Sequence, residues 1–313
     1  MTRSPDDLIM PLRQITIIGT GLIGGSLGLA LRKNKFKGKI IGCDRPEVLR
    51  RAKRVHAIDQ GVADLFAACQ GSDVIVLATP VGAVIELIGK LAPRLNANSI
   101  LTDVGSTKFE IAARARQVFG DDAPRKFLPG HPMAGKESSG IKYADPDLFR
   151  GAVWFLTPLV GKSLPGDAGR EYVSWLKRIG AKVVFLDPAA HDRLCAWISH
   201  VPQMLSTALA ASLVDEYGEN APLLESGGRA LSEMTRIAAS PYFMWRDIAL
   251  TNKKSIADAL LKIEQRLAHV RENLDTRELE AEFTRAHQLR KARSPRRHKD
   301  TEKTSRTEKR RTL

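Results

Sequence analysis
Ile15-Thr16-Ile17-Ile18, then Gly19-Thr20-Gly21-Leu22-Ile23-Gly24, and after a helical segment Ile40-Ile41-Gly42-Cys43-Asp44, decide the fold of this chain. The first run is short, apolar and β-branched, the signature of a buried strand. Three glycines follow at G-x-G-x-x-G spacing. Gly25 to Lys33 continue as a helix, with Leu27, Ala30 and Leu31 available to pack on a sheet. A second apolar run then ends on a carboxylate. That order is what a dinucleotide-binding βαβ unit requires. Gly19 supplies the tight turn, Gly21 lets the backbone approach a pyrophosphate, and Gly24 lets helix and strand pack closely. The helix start at Leu22 and Ile23 offers unpaired N–H groups and a positive dipole end to the phosphates. Asp44, 20 residues beyond Gly24, is placed to accept both ribose hydroxyls. Its charge repels a 2′-phosphate, so NAD is the expected cofactor. Arg45 beside it is either a contact that tolerates NADP or a solvated loop residue.

At 313 residues, two domains are expected rather than one. A hydrophobic content of 43% is enough for a sizeable core. No run reaches the roughly 18 apolar residues of a membrane span. Met1 to Met10 carries Asp6 and Asp7 and lacks the apolar centre of a signal peptide. Cys43, Cys69 and Cys195 are odd in number and far apart, without metal-ligand spacing; they read as packed thiols of a reducing, cytoplasmic compartment, with no metal site. The net charge of +14 is concentrated: residues 286–313 hold 11 Lys/Arg against 3 Asp/Glu, a net of +8. This stretch has almost no apolar residues and reads as a basic, disordered tail. No aromatic residue interrupts it, so it lacks a stacking platform for bases, and nucleic acid is not the expected partner.

Along the chain, Ser72 to Ala78 is a further buried strand ended by Thr79-Pro80, which makes Thr79 a candidate cofactor contact. Val81 to Leu91 carries a helical apolar stripe. Ser99 to Asp103 is the next strand, and Ser106 can N-cap a helix starting at Thr107. Val153 to Leu156 and Lys182 to Leu186 are strands flanking a helix from Asp167 to Ile179, ended by Gly180. Strands alternating with helices predict a Rossmann-like, doubly wound, mostly parallel α/β sheet over residues 1–186. The pattern changes at Asp187-Pro188, a good N-cap followed by a good first helical residue. Beyond it no strand is expected. Helices are expected over Ala189 to Glu216, Pro222 to Ile237 and from Pro241 onward, the last capped by Ser240, giving an all-helical domain over 187–285 before the tail.

With these residues in view, the chain resembles the prephenate/arogenate dehydrogenases of tyrosine biosynthesis. The resemblance is carried by Gly19 to Gly24, Asp103-Val104-Gly105-Ser106-Thr107-Lys108, Gly130-His131-Pro132-Met133-Ala134-Gly135 with Glu137 to Gly140, His191-Asp192, Ser199-His200-Val201-Pro202, and Thr235-Arg236-Ile237-Ala238 with Met244-Trp245-Arg246-Asp247. The resemblance implies oxidation of a ring carbinol by hydride loss to NAD, with decarboxylation as the ring becomes aromatic. It implies His131 as the catalytic histidine on the ring hydroxyl, and Ser106 between that histidine and the nicotinamide. It implies Arg236 as the arginine that holds a substrate carboxylate, in the bidentate geometry that a guanidinium offers. Glu137 and Glu233 are candidates to gate or hold that arginine, and Trp245 is a candidate pocket wall. The resemblance further implies a homodimer through the helical half.

Asp192, Ser199 and Gln203 stand at i, i+7 and i+11 of one expected helix, hence on one face, suggesting a polar cavity. Pro202 should bend that helix. His200 lies off the stripe and reads as a packed histidine, and His191 carries no assignment. Gln203 stands where relatives that favour prephenate often have histidine, and Lys136 where a smaller polar residue is common; both bear on the keto or amino side chain of the substrate. Two other readings compete. A different β-hydroxyacid-type dehydrogenase would need a glycine-rich lysine motif, which is absent. A non-catalytic NAD sensor with a basic nucleic-acid arm would bind DNA without His131.

Overall fold
A computed structural model describes residues 11–136, 138–218 and 226–293. Glu137, the start of the helix expected at Pro222, and the tail from 294 lie outside the described residues. Two compact bodies divide the chain, one running to Ala259 and the other starting at Leu260. The change of secondary structure at 187 is therefore not a change of compactness, because helices up to Ala259 share a body with the sheets.

The quoted stretch forms β1 (Gln14–Ile18), α1 (Leu22–Lys33) and β2 (Lys39–Cys43). They are followed by α2 (Pro46–Arg54), β3 (Gln60–Gly61), α3 (Leu65–Cys69), β4 (Val74–Leu77), α4 (Val81–Leu91), β5 (Ile100–Asp103), α5 (Phe109–Phe119), α6 (Ala123–Lys126) and β6 (Phe127–Leu128). The six strands are all parallel in the order β3-β2-β1-β4-β5-β6. The chain reverses its direction of winding between β1 and β4, the switch point where open α/β sheets bind ligands beyond the carboxyl ends of their strands. Strand alternation sorts the core onto two faces. Ile15 and Ile17 of β1 join Val74 and Val76 in one apolar cluster with α1 and α2; Ile18 joins Ile75 and Leu77 in the other with α4 and α5.

The strands expected at 153–156 and 182–186 do not extend this sheet. They form a separate three-stranded sheet, β7 (Gly130–Pro132), β8 (Val153–Leu156) and β9 (Lys182–Phe185), with β7 antiparallel to β8 and β8 parallel to β9. The reason is local. β6 is only two residues long, and at Pro129 the chain leaves the large sheet, its carbonyl accepting the Thr157 N–H at 2.9 Å. α7 (Gly166–Arg178) covers the junction with Tyr172 and Leu176.

After β9 the described residues form helices and turns. α8 (Pro188–Cys195) begins as expected, the Asp187 carboxylate accepting the N–H groups of Ala189 and Ala190. Ala196–His200 is a π turn rather than a continuation of the α-helix, and α9 (Val201–Tyr217) follows. Pro202 has no N–H to give to the carbonyl a turn earlier, which is the local fault that a π turn absorbs. α10 (Gly228–Thr235), a 3₁₀ turn (Arg236–Ala239) and α11 (Tyr242–Thr251) complete the walls of the site; Ser240 precedes α11 but its side chain does not cap it. In the second body the end of α12 (Lys253–Glu272) and α13 (Arg277–Arg293) are linked by an ion pair, Arg266 Nη1 to Glu282 Oε1 at 2.6 Å. α13 corrects the expected start of the disordered tail at 286, because the helix continues eight residues further. Glu278 and Glu280 in its first turn suit the helix dipole.

Candidate active site
The glycine loop has the geometry its spacing implies. Gly19 sits at φ +91°, and a Cβ there would lie 2.4 Å from the Ala78 carbonyl oxygen. A Cβ on Gly24 would lie 2.0 Å from the Gly19 carbonyl oxygen and 2.8 Å from Ile17, so close packing of helix on strand requires glycine. Above Gly21, by contrast, nothing stands within 4 Å of a Cβ position, which leaves the backbone approachable. Gly21 opens α1 without a side-chain cap, so the N–H groups of Leu22 and Ile23 face outward for an anion. At the end of β4, Thr79 Oγ1 is buried with no hydrogen-bond partner among the described residues, an orphan that a ligand would satisfy. Asp44 follows β2, and its Oδ2 accepts the Thr20 N–H at 2.7 Å, tying the acid to the glycine loop. Arg45 is solvent-exposed and pairs with Glu47 at 3.4 Å. These residues fit a dinucleotide.

Beside the loop lies a cleft of about 470 Å³. Its walls include Leu22 and Ile23 from α1, Ser106, His131, Ser199, Gln203 and Trp245. One cleft therefore joins the start of the nucleotide-binding helix to the histidine of β7 and to the helical segment. Ser106 does not cap α5, which starts at Phe109. The first N–H groups of α5 go instead to the Asp192 carboxylate, Lys108 N to Oδ1 at 2.7 Å and Phe109 N to Oδ2 at 2.9 Å. The Ser106 hydroxyl is thereby left for the cleft.

Asp192 is correspondingly not a cleft residue. The π turn breaks the i, i+7 relation, because each π residue rotates the chain less than an α residue does. Ser199 and Gln203 face the cleft, while Asp192 turns inward and is 2% exposed. There its Oδ1 also meets His191 Nδ1 at 2.8 Å, and His191 Nε2 lies 2.9 Å from His131 Nδ1. Cys195 Sγ stands 3.3 Å from His191 Nε2 and 3.9 Å from His131 Nδ1. Burial pushes this thiol up to about 12, with Asp192 adding to the rise. Burial, then His191, Lys108 and His200, hold His131 well below the ordinary histidine pKa, so its imidazole is neutral. Beneath it Lys108 and Asp103 form a fully buried ion pair, and Asp103 accepts the N–H groups of Gly105 and Gly130.

The helical wall is specified in the same detail. Gln203 Nε2 donates to the Ile237 carbonyl at 3.0 Å and to Thr207 Oγ1 at 3.2 Å. A carbonyl only accepts, so the amide orientation is fixed and Oε1 is the group left for a ligand. Trp245 Nε1 is buried without a hydrogen-bond partner among the described residues, and its ring meets His200 edge-on with centroids 6.0 Å apart. His200 is packed as expected, its Nδ1 3.2 Å from Asn252 Nδ2. Arg236 is exposed at the start of the 3₁₀ turn; its neighbours Ile237 and Ser240 line the cleft, but Arg236 itself does not. Lys136 also lines the cleft and is paired with Asp145 at 3.3 Å. Glu233 is exposed on α10. His191 is the functional candidate that sequence reading left without a role. Its spacing of four from Cys195 marks a buried helical face, but two of its ring partners, His131 and Phe155, come from elsewhere in the chain.

The nucleotide-binding domain of prephenate dehydrogenase matches residues 27–185, and the dimerization domain of the same enzyme matches residues 187–288. The chain belongs to the prephenate dehydrogenase family. It is 35% identical over 270 residues to a prephenate dehydrogenase of Lactococcus lactis subsp. cremoris, covering 82% of this chain and 72% of the relative. The crystal structure of an Aquifex aeolicus prephenate dehydrogenase with hydroxyphenyl propionate and NAD+ superposes with a TM-score of 0.80 at 30% identity, over 90% of this chain and 98% of the other. A Synechocystis arogenate dehydrogenase gives a TM-score of 0.73 at 28% identity, over 89% and 99% of the two chains. Among the described residues no helix is long and apolar enough to cross a membrane.

Proposed function
We infer that this member of the family oxidises and decarboxylates prephenate or arogenate with NAD. The observation that carries the reading is His131, a neutral imidazole in the same cleft as Ser106 and the start of the nucleotide-binding helix. Bound NAD supplies the hydride acceptor. In the step itself the carbinol C–H bond of the ring breaks, its electron pair leaving as hydride, while Nε2 of His131 takes the hydroxyl proton. A neutral imidazole is suited to that transfer near neutral pH. The resulting dienone carries its carboxylate as a vinylogous β-keto acid. The bond to that carboxylate then breaks, carbon dioxide leaves, and the electron pair enters the ring and passes to oxygen. His131 returns its proton to that oxygen, so the residue is regenerated and the products are a phenol, carbon dioxide and NADH.

In this reading Ser106, which lines the same cleft, hydrogen-bonds the same hydroxyl from the nicotinamide side. Arg236 takes a substrate carboxylate from the rim, and Trp245 and Ser199 wall the ring. Gln203 has only its Oε1 left to offer, an acceptor that suits the ammonium of arogenate better than the keto oxygen of prephenate. The exposed Trp197, Ile198, Tyr242 and Phe243 are apolar surface of the kind an obligate interface covers, supporting a homodimer through the helical segment. The test is NADH formation followed by absorbance with NAD and each substrate. Turnover on either one is expected, arogenate giving the higher kcat/KM. Absence of turnover on both overturns the reading.

A further inference from the structure
We propose that His191 and Asp192 are positioning residues that fix which nitrogen of His131 carries its proton, leaving Nε2 as a lone pair aimed at the substrate. This rests on the assignment of His131 as the proton acceptor and adds to it the device that makes it one. An isolated imidazole exchanges its proton between both nitrogens, and only one of the two neutral forms can act as a base toward the cleft.

The assignment follows link by link. Asp192 accepts two backbone N–H groups from α5, so its carboxylate is held as an acceptor. A third hydrogen bond to Oδ1 at 2.8 Å must then come from a donor, which places the proton of His191 on Nδ1. Burial holds His191 below the ordinary histidine pKa in spite of the neighbouring Asp192, so it carries only that proton. Its Nε2 is therefore a lone pair. The 2.9 Å contact between His191 Nε2 and His131 Nδ1 requires one proton, and His131 is the member left to provide it. Nδ1 of His131 is thus N–H and Nε2 is bare. The competing donor, the Cys195 thiol, is a weak one and stands farther away at 3.3 Å. The His191 ring cannot turn out of line, because Phe155, the register partner of His131 across β7 and β8, packs edge-on against it at 5.3 Å.

The placement also explains why the acid is Asp192 and not a nearer residue. The same carboxylate fixes the first turn of α5, two residues after Ser106, and the tautomer of His131. The loop bearing the serine and the strand bearing the histidine are thereby referred to one buried group. When His131 becomes positively charged on taking the hydroxyl proton, the Nδ1–H···His191–H···Asp192 chain directs that charge toward a carboxylate. Orientation and tautomer control of this kind belongs to the acid of hydrolytic triads as well.

The test uses full-length protein labelled with ¹⁵N in histidine and two variants. In His191→Phe the ring volume is kept and the acceptor removed; in His191→Gln a side-chain oxygen can occupy the position of Nε2. In the unaltered protein the ¹⁵N spectrum should show His131 protonated on Nδ1 and bare on Nε2. His191→Phe should populate the Nε2–H form and lower kcat by roughly 10- to 100-fold, part of the 10²–10⁴ ascribed to a general base, with the KM for NAD unchanged. His191→Gln should restore the Nδ1–H form and most of kcat. An Nε2–H tautomer in the unaltered protein overturns the proposal without any variant having to fold. So does an unchanged tautomer and kcat in His191→Phe. A correct tautomer in a protein inactive on both substrates would leave the relay standing and overturn only the substrate assignment.

Discussion

Removing the Asp192 carboxylate tests how much of the site depends on one buried group. Asp192 accepts three hydrogen bonds at 2.7, 2.8 and 2.9 Å, from Lys108 N, His191 Nδ1 and Phe109 N. In Asp192→Ala all three donors are orphaned, and the residue's burial keeps water from replacing the acceptor. An orphaned buried donor costs about 1–3 kcal/mol. The three share one cavity and do not add fully, so a loss of about 4 kcal/mol is expected. Asp192→Asn keeps one acceptor oxygen but turns an amide N–H toward one of the backbone donors and removes the charge, for about 2–3 kcal/mol. Asp187 is the internal control. It caps α8 with two hydrogen bonds of 2.9 and 3.1 Å, but these lie at the exposed surface. Water replaces them, so Asp187→Ala should cost only about 1 kcal/mol. Urea unfolding of the three variants, read by fluorescence, gives the comparison. Equal losses for Asp192→Ala and Asp187→Ala would refute the reasoning, since burial would then not set the cost.

Other outcomes follow from the same geometry. Asp44→Ser should weaken NAD and improve NADP use, because the carboxylate anchored to Thr20 no longer opposes a 2′-phosphate; a preference for NADP in the unaltered protein would contradict it. Arg236→Ala should raise the substrate KM by roughly 10- to 100-fold through loss of a charge-assisted pair of about 1.5–3 kcal/mol, with NAD affinity unchanged; a lost NAD affinity with unchanged KM would show the assignment wrong. His131, His191 and His200 all have pKa values lowered by burial, His200 to about 4. The unfolded chain therefore takes up protons first as pH falls below about 6.5. Stability should decline below that pH, His200 alone accounting for about 3 kcal/mol by pH 4, and urea midpoints that stay flat between pH 7 and pH 5 would contradict it.

The nucleotide half was legible wherever a local signal sufficed. The glycine loop, Asp44 and the Val81–Leu91 helix fall where the pattern put them, because turn chemistry and apolar periodicity act over a few residues. The strands β3, β6 and β7 were not legible, since two or three residues cannot display a period of two. With β7 unseen, the second sheet could not be separated from the first. Ser106 looked like the cap of α5 because it precedes the helix, yet the cap comes from Asp192, 84 residues away from Lys108. The stripe of Asp192, Ser199 and Gln203 assumed an unbroken α-helix; Pro202 was read as a bend, whereas the chain answers it with a π turn. His191 had no local signature, because its role consists of contacts to β7, β8 and its own neighbour in sequence. The tail expected from 286 rests on its charge and its lack of apolar residues, and neither prevents Arg277–Arg293 from being helical when acidic residues begin the helix.

The most direct measurement is turnover and NAD binding in His131→Asn, with NADH and carbon dioxide quantified together on prephenate and on arogenate. NAD affinity by calorimetry should match that of the unaltered protein, and turnover should fall by roughly 10²–10⁴-fold, with NADH and carbon dioxide lost in equal measure. Turnover within a few-fold of the unaltered protein would show that another group takes the hydroxyl proton and would contradict the central role of His131.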